Sequence, residues 1–395
     1  MKKVALIYSA RIDAPTGASA VIRSFFNNKE LLKKNDIELS VYSPGILNTS
    51  TEIAIIKDSD KGLYKKYARF IKNYGSNHTL GAIISIVVPY LRSTTVKHYL
   101  LSNNNEEVIF MHELGTCYKY IMHRKSKKAK IVLVIHSNGD TFKMDREYYK
   151  TLENSFFYKY LLRIERKVLD KVDKIGLVAD YPRQNFLETH PEIDHDKVFY
   201  IYNGLSLESL NKKQTHNNVN TYEICCTGTI SVRKGQHFIV EALRKLKNNS
   251  IVPNVHFSII GGGPILEELK ILSEQYAISQ FITFYGSSDK VHEYLANSDI
   301  FILPSVDEGF PIAILEAMRA GLPIVSTKVG GIPEMIEEGY NGIFIEPSID
   351  GVLDFLFHID KYDWRKMGEN SYELFLKKFT VEKMMGSYSN ILNSL

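Results

Sequence analysis

Short apolar runs rich in β-branched residues alternate along the first half of the chain with longer, helix-like stretches. The runs are KVALIYS, IELSVYS, EVIFMHE, IVLVIHS, KIGLVA and KVFYIYN. Amphipathic segments separate several of them, for example residues 145–170. Apolar runs joined by helices are typical of parallel strands that are covered on both faces. The pattern therefore predicts an α/β domain built on a parallel sheet.

The alternation pauses at Asn203 and then starts again. Residues 203–222 are polar and rich in turn formers, as expected of a linker between domains. The second series of runs is EICCTGT, VHFSIIGGG, ITFYGS, DIFILPS, PIVST and GIFIEP. We predict two doubly wound Rossmann-like domains that face a central cleft, residues 1–205 and residues 206–380. We also expect a C-terminal helix at about 380–395 that packs back on the first domain.

Charged residues are unevenly distributed between the two halves of the chain. The 395-residue chain is 44% hydrophobic and 24% charged, which is typical of a globular protein with a large core. Its net charge is only +4, but basic residues outnumber acidic ones in the first half and the reverse holds in the second. The densest basic stretch is HRKSKKAK, residues 123–130. It is either a solvated surface or, beside the apolar residues 80–91, a contact with an anionic membrane.

The segment DEGFPIAILEAMRAGLPI, residues 307–324, places two glutamates eight positions apart around an apolar run. Pro311 favours the first turn of a helix, and Gly321 favours its end. Glu316 then lies mid-helix among apolar residues, where a carboxylate needs a polar or charged partner. That partner is either a basic side chain or a polar ligand. In the second case Glu308 and the free N–H groups of the helix N-terminus face the same ligand.

Further candidates follow the predicted strands, at the edge where ligands of such sheets bind. Gly17 follows the first strand, and Gly228 follows EICCT. Arg233 and Lys234 precede a predicted helix, where they either neutralise a diphosphate or are exposed charges. His136 ends the strand IVLVI and is either a structural residue or a substrate contact. The glycine segments match neither the dinucleotide-binding nor the NTP-hydrolysing motif.

Metal-binding patterns are weak in this sequence. Asp58 and Asp60, in KDSDKG, can in principle hold Mg²⁺ or Mn²⁺, but a charged surface turn explains them as well. Cys117, Cys225 and Cys226 lack metal-ligand spacing and are expected to be core thiols of a cytoplasmic protein. We therefore expect metal-independent chemistry.

With these motifs the chain resembles the family 4 glycosyltransferases, which are retaining nucleotide-sugar enzymes of the GT-B fold. The resemblance is carried by EGFPIAILE within ILPSVDEGFPIAILEAMRAGLPIVSTKVGGIPEMI, and by YNGL, RKGQ, GGGP, YGSS and KMGENSYELFLKKFTVEKM. It is strong over residues 200–385 and weaker before them. It implies an α/β GT-B fold with an acceptor-binding domain first and a donor-binding domain second.

The family pattern also implies roles for particular residues. Glu316 would bind the ribose hydroxyls of the donor, and Glu308 would bind the hydroxyls of its sugar. Lys234 would neutralise the leaving diphosphate, and His136 would lie near the sugar being transferred. The implied catalytic residues are therefore His136 and Glu308. The implied donor-binding residues are Gly17, Gly228, Arg233, Lys234, Gly309, Phe310, Pro311, Ile312 and Glu316. Neither a cofactor nor a metal is expected, because the nucleotide sugar is a substrate.

Two positions depart from the family pattern. Thr229 stands where the family usually has an arginine, which leaves Arg233 as the candidate for the second phosphate contact. The loop after the first strand has only Gly17, where the family often has a glycine pair.

The resemblance implies a retaining, metal-independent transferase of a hexose or N-acetylhexosamine. Its donor would be UDP- or GDP-linked, and its acceptor a glycan or lipid-linked glycan of cell-surface polysaccharide biosynthesis. A cytoplasmic enzyme, peripheral at the inner face of the membrane and without a nucleic-acid partner, would fit this role. The alternatives are a nucleotide-sugar epimerase of GT-B fold and a non-catalytic glycan-binding subunit. The retained glutamates and the basic first half favour the transferase.

Overall fold

The structure is a computed structural model that describes residues 1–14, 16–44, 94–102, 105–149, 151–207 and 221–395. These residues form two compact units. The first unit comprises Met1–Ile201 with Met384–Leu395, and the second comprises Tyr202–Lys383. Each unit is built on one six-stranded parallel sheet. The prediction of two doubly wound α/β units from the alternating pattern is therefore confirmed.

The first sheet has the strand order β2-β1-β3-β4-β5-β6. Its strands are β1 (Lys2–Ile7), β2 (Ile37–Tyr42), β3 (Val108–Met111), β4 (Lys130–Ile135), β5 (Lys174–Leu177) and β6 (Val198–Tyr200). The helices described in this part of the chain are α1 (Gly17–Asn27), α2 (Lys29–Lys33), α3 (Thr94–Leu101), α4 (Leu114–His123), α5 (Lys143–Tyr148), α6 (Phe156–Leu169) and α7 (Asp180–Thr189). Because β3 and β4 are parallel neighbours, the residues that follow them share one edge of the sheet.

The second sheet has the strand order β12-β11-β10-β7-β8-β9. Its strands are β7 (Tyr222–Thr227), β8 (Val255–Ile260), β9 (Ile282–Gly286), β10 (Ile300–Leu303), β11 (Ile324–Ser326) and β12 (Gly342–Phe344). The accompanying helices are α8 (Gln236–Asn248), α9 (Leu266–Gln275), α10 (Val291–Ala296), α11 (Ile312–Arg319), α12 (Ile349–Phe357) and α13 (Trp364–Lys378). Strands β7 and β10 are neighbours, so the loops that follow them lie side by side.

The apolar runs of the sequence form the cores of the two sheets. All four residues of β3 and all four of β10 are buried, as expected of strands covered on both faces. Cys117, Cys225 and Cys226 are buried free thiols. The last helix, α14 (Val381–Asn393), brings Tyr388 edge-on against Phe25 of α1, with 5.1 Å between the ring centroids. This contact joins the C-terminus to the core of the first unit.

Some sequence candidates lie outside the described residues, namely Asp58, Asp60 and the apolar run at residues 80–91. In the described part of the chain, none of the helices combines the length and the apolar character required to cross a membrane.

Candidate functional site

Glu308 lies at the centre of a charged cluster in the second unit, where the loops after β7 and β10 meet. Its carboxylate accepts a hydrogen bond from Lys234 Nζ at 2.5 Å and one from Arg233 Nη1 at 3.3 Å. The hydroxyl of Ser305 donates a third at 2.7 Å. Glu308 is only 4% exposed, so these charge-assisted bonds form away from bulk water.

The cluster determines the charge state of Glu308. Burial by itself would raise the pKa of this carboxyl group, but the ammonium of Lys234 and the guanidinium of Arg233 outweigh it and lower the pKa below its ordinary value. Glu308 is therefore ionised at neutral pH. Arg233 Nη1 also donates to the carbonyl oxygen of Asp307 at 2.7 Å, which fixes the guanidinium against the β10 loop.

A third loop, which follows β11, closes on the backbone beside Glu308. Gly330 has a φ of +55°, and a Cβ atom there would lie 1.6 Å from the carbonyl oxygen of Glu308. The N–H of Gly331 donates to the carbonyl oxygen of Gly309 at 2.8 Å. A side chain at position 330 would push the two loops apart, so glycine is required there by close backbone approach.

The helix after Glu308 differs from the sequence-based prediction in two respects. It begins at Ile312, and Pro311 is its capping residue with an extended ψ of 120°, not its first helical residue. Glu316, in the middle of α11, is partly exposed, whereas its position among apolar residues had suggested a buried carboxylate. Phe310 is 5% exposed and its ring stacks on Tyr202 at 5.2 Å. This packing fixes the backbone of the segment that begins the helix.

The glycine-rich turns after β7 and β8 interlock through their backbones. A Cβ atom at Gly261, where φ is +150°, would lie 1.8 Å from the carbonyl oxygen of Gly228. A Cβ atom at Gly263 would lie 2.0 Å from the carbonyl oxygen of Ile230. Gly228, with a φ of +127°, differs in its surroundings: apart from its chain neighbours, the described residues place no atom within 4 Å of the position of its Cβ. Gly261 and Gly263 therefore serve packing, whereas Gly228 meets no such contact in the described part of the chain.

The turn that contains Thr229 is held by a single buried side chain. Gln236, 1% exposed, accepts a hydrogen bond from the N–H of Ser231 and donates one to the carbonyl oxygen of Thr229, both at 3.2 Å. Thr229 itself is exposed. The guanidinium of Arg233 is directed to Glu308, as described above.

In the first unit, His136 is paired with a second histidine that the sequence analysis did not identify. His112 follows β3 as His136 follows β4, and the two rings stack with 5.1 Å between centroids. His112 Nδ1 lies 2.8 Å from His136 Nε2. Burial lowers the pKa of His136 to about 4, and burial together with the neighbouring ring lowers the pKa of His112. Both rings are therefore neutral at pH 7. The signal available in the sequence was that the apolar run EVIFM, like IVLVI, is followed directly by a histidine.

The hydrogen bonding of the pair indicates where its protons lie. His112 Nε2 is buried and has no hydrogen-bond partner among the described residues. A buried N–H without a partner is rarer than a buried acceptor without one. The proton of His112 is therefore assigned to Nδ1, which donates to His136 Nε2. His136 then carries its own proton on Nδ1 and is a neutral hydrogen-bond donor at that atom.

Two further candidates of the first unit, Gly17 and most of the basic stretch, are exposed in the described part of the chain. Gly17 is the first residue of α1, whose capping residue Thr16 accepts a hydrogen bond from the N–H of Ser19 at 3.2 Å. In the basic stretch, Lys130 pairs with Asp173 at 2.9 Å. Its other lysines, Lys125, Lys127 and Lys128, are exposed. The structure thus places Arg233, Lys234 and Glu308 together in one unit, and His136 and Gly17 in the other.

Comparison with known proteins gives this geometry a family context. Residues 208–361 match the family model described as glycosyl transferases group 1. N-acetyl-alpha-D-glucosaminyl L-malate synthase of Bacillus anthracis is 36% identical over 136 residues, which are 34% of this chain and 36% of the relative. UDP-Gal:alpha-D-GlcNAc-diphosphoundecaprenol alpha-1,3-galactosyltransferase of Escherichia coli is 25% identical over 211 residues, 50% of this chain and 54% of the relative. The chain thus spans about a third to a half of the length of these curated relatives.

The similarity to solved structures covers the whole chain, not only the second unit. Anabaena Alr3699/HepE, in complex with UDP and glucose, matches 100% of both chains with a TM-score of 0.68 and 16% identity. At this identity the match establishes the fold, which is GT-B. Residues 208–361, which match the model for glycosyl transferases group 1, fall in the second unit and include Arg233, Lys234 and Glu308. The resemblance found in the sequence is confirmed at the level of this group.

Proposed function

We propose that this protein is a retaining, metal-independent glycosyltransferase that moves a hexose or N-acetylhexosamine from a nucleotide sugar to a glycan acceptor. The observation that carries the proposal is the buried Glu308 held by Lys234 and Arg233, inside the segment that matches the glycosyl transferases group 1. Such a cluster offers both a carboxylate for sugar hydroxyls and fixed cations for a diphosphate.

The donor would be held mainly by the second unit. Glu316 would bind the ribose hydroxyls, and Glu308 those of the donor sugar. Lys234 and Arg233 would neutralise the diphosphate as it leaves, while Gly228 leaves room for it beside the backbone. The backbone of Gly309 to Ile312, with Phe310 and Pro311 between them, would line the sugar and the phosphate.

The chemistry would rest on positioning and on stabilisation of the leaving charge. In the mechanism proposed for retaining transfer, the acceptor hydroxyl attacks the donor sugar on the same face from which the nucleoside diphosphate leaves. The leaving phosphate helps to deprotonate that hydroxyl. The protein then needs oriented cations and hydrogen-bond donors, because these stabilise charge as it develops. His136, neutral and protonated on Nδ1, would serve as one such donor to the transferred sugar.

A thermal-shift screen against UDP- and GDP-linked hexoses and N-acetylhexosamines tests the donor site. A ligand that binds only the folded chain stabilises it, by about 2.7 kcal/mol when the free ligand is at a hundredfold excess over Kd. The melting temperature of the chain therefore rises. We expect one nucleotide sugar to stabilise the wild type and to stabilise Glu316→Ala much less. If none of the nucleotide sugars shifts the melting temperature, the donor-binding proposal fails.

Two further measurements test the chemistry. NMR of the product should show that the transferred sugar keeps the anomeric configuration of the donor, and an inverted product contradicts the retaining mechanism. Activity should survive excess EDTA. Loss of activity that Mn²⁺ restores would instead support Asp58 and Asp60 as metal ligands.

The acceptor proposal follows the relatives. The Escherichia coli relative is named for an acceptor on diphosphoundecaprenol, which is a lipid carrier. We propose an acceptor of this general kind, in cell-surface polysaccharide biosynthesis, reached from the cytoplasmic face of the membrane. The exposed lysines Lys125, Lys127 and Lys128 would then contact anionic lipid.

A further inference from the structure

The first unit contains a polar pocket of about 460 Å³ in the segment that follows β4. His136 ends that strand, and the pocket begins two residues later at Asn138. A pocket of this volume is within the range that binds small molecules. Neither the charged cluster nor the histidine pair makes use of it.

The pocket is preformed by contacts between the β4 loop and α7. The side chain of Asn185, on α7, donates through Nδ2 to the carbonyl oxygen of Asn138 at 2.7 Å. Gly139 has a φ of +103°, and a Cβ atom there would lie 2.3 Å from the carbonyl oxygen of Pro182. The loop therefore packs against the helix backbone, and one wall of the pocket is fixed before any ligand binds.

The charges that line the pocket do not favour an anion. Arg146 donates to both oxygens of Asp140, at 2.5 and 3.1 Å, and also to the hydroxyl of Tyr158 at 2.8 Å. These bonds occupy its guanidinium within the protein. Glu147 and Glu153 contribute two more carboxylates, so the lining has an excess of negative charge over its two cations. A phosphate or carboxylate ligand would meet net repulsion there.

An aromatic ring completes the lining. Tyr181 is 51% exposed and is the aromatic residue among those that line the pocket. It lies four residues before Asn185 on α7, and both line the same pocket. A flat ring beside carboxylate and amide groups suits a ligand with one apolar face and many hydroxyl donors.

We propose that this pocket binds an uncharged sugar residue of the glycan acceptor. Tyr181 covers one face of the sugar ring, and Glu147 and Glu153 accept hydrogen bonds from its hydroxyls. This inference rests on the proposed function, because it names the subsite for the acceptor in that reaction. The assignment to the acceptor follows from chain position. Strand β4 is followed first by His136, which is proposed to contact the transferred sugar, and then by Asn138 and Asp140 of the pocket.

Binding can be measured without turnover. Saturation-transfer NMR on the full chain would use the methyl glycosides of glucose, galactose, mannose and N-acetylglucosamine. We expect at least one to receive saturation from the wild type, with about tenfold weaker affinity for Tyr181→Ala. Tyr160→Ala is the matched control, because Tyr160 is 43% exposed on α6 and is not part of the lining. Absence of transfer to all four glycosides, or equal affinities of the two variants, would overturn the inference.

A kinetic comparison separates this inference from the proposed function. In a transfer assay, Tyr181→Ala should raise the ratio of acceptor KM to donor KM about tenfold, while Tyr160→Ala keeps the wild-type ratio. A chain that binds a methyl glycoside through Tyr181 but neither binds nor consumes any nucleotide sugar retains the subsite and loses the proposed function. Displacement of the bound glycoside by inorganic phosphate would show an anion site and overturn the sugar assignment.

Discussion

At the scale of single residues, Glu308 is central to the proposed chemistry of the second unit, and its burial makes it important for stability as well. A carboxylate that is 4% exposed loses most of its hydration, and Lys234 and Arg233 offset that loss. Removing one partner leaves a buried charge that is only partly compensated. Removing the carboxylate and one cation together leaves less uncompensated charge, so the double change should cost less than the two single changes added.

Lys234→Met should lower the free energy of unfolding by about 3 kcal/mol, as measured by urea denaturation. Lys290→Met is the matched control, because the side chain of Lys290 is 63% exposed and pairs with Glu293 on the surface; we expect a change below about 0.5 kcal/mol there. Glu308→Gln added to Lys234→Met should recover part of the loss. Equal effects of the two single lysine variants would contradict the role given to the buried pair.

The histidine pair gives a prediction about pH. The pKa of His136 is about 4 in the folded chain, whereas an unfolded histidine titrates near 6.5. Between these values the unfolded chain binds more protons, so stability is fully present above about pH 6.5 and falls as the pH drops towards 4. The loss amounts to about 3 kcal/mol for a shift of this size.

The change can be assigned to the pair by mutation. Wild type and His112→Asn/His136→Asn should be denatured with urea at several pH values between 4 and 7. The wild type should lose more stability than the double variant over this range, because the variant lacks both shifted groups. Parallel pH profiles for the two chains would show that the pair does not titrate as described. Histidine NMR on the wild type should also place the His136 proton on Nδ1 at pH 7.

At the scale of elements, the close approach of glycine backbones determines how the loops of the second unit fit together. The loop after β11 touches the backbone of Glu308 at Gly330, and the turn after β8 touches Gly228 at Gly261. These contacts join loops that follow four strands that are consecutive in the sheet: β11, β10, β7 and β8. The charged cluster depends on them, because they position the backbone that carries it.

Gly330→Ala should destabilise the protein by about 2 kcal/mol or more, since its φ is positive and the new Cβ would clash with the carbonyl oxygen of Glu308. Gly386→Ala is the matched control. Gly386 lies within α14, and outside that helix's own backbone the described residues place no atom within 4 Å of the position of its Cβ. The control should stabilise the chain by about 0.5–1 kcal/mol through helix propensity. Thermal denaturation measures both, and a neutral Gly330→Ala would contradict the close approach.

The sequence was most informative about elements and less informative about contacts between them. Buried runs such as VIFM and IFIL predicted strands because a parallel sheet covers both faces of its strands. The pattern did not reveal strand order, so it did not show that His112 lies beside His136. It also assigned Lys234 to a phosphate and Glu308 to a sugar, without showing that the two side chains bond to each other. Pro311 was placed one position too far into its helix because proline suits a first turn as well as a cap.

At the scale of the whole molecule, charge is distributed between the two units. The basic stretch at residues 123–130 begins at the last residue of α4 and ends at the first residue of β4, in the first unit. The cluster of the buried Glu308 with the partly buried Lys234 and Arg233 belongs to the second unit. Not all of the basic stretch is available to a partner. Lys130 is paired with Asp173, and Arg124 lies over the ring of Tyr120 at 5.9 Å. The exposed lysines 125, 127 and 128 therefore form the testable part of the proposed membrane contact.

The variant Lys125→Gln/Lys127→Gln/Lys128→Gln should weaken co-sedimentation with vesicles that contain anionic lipid. Each near-surface charge adds about 1 kcal/mol, so the loss of three should lower the binding constant roughly a hundredfold or more. The variant Lys361→Gln/Lys366→Gln/Lys377→Gln, at exposed positions of the second unit, changes net charge equally and is the control. Wild-type binding should also fade as salt shortens the screening length to about 3 Å at 1 M. Wild type that ignores anionic vesicles at low salt, or equal losses in the two variants, would show that the basic stretch is only a solvated surface, and the acceptor would then be sought among soluble glycans.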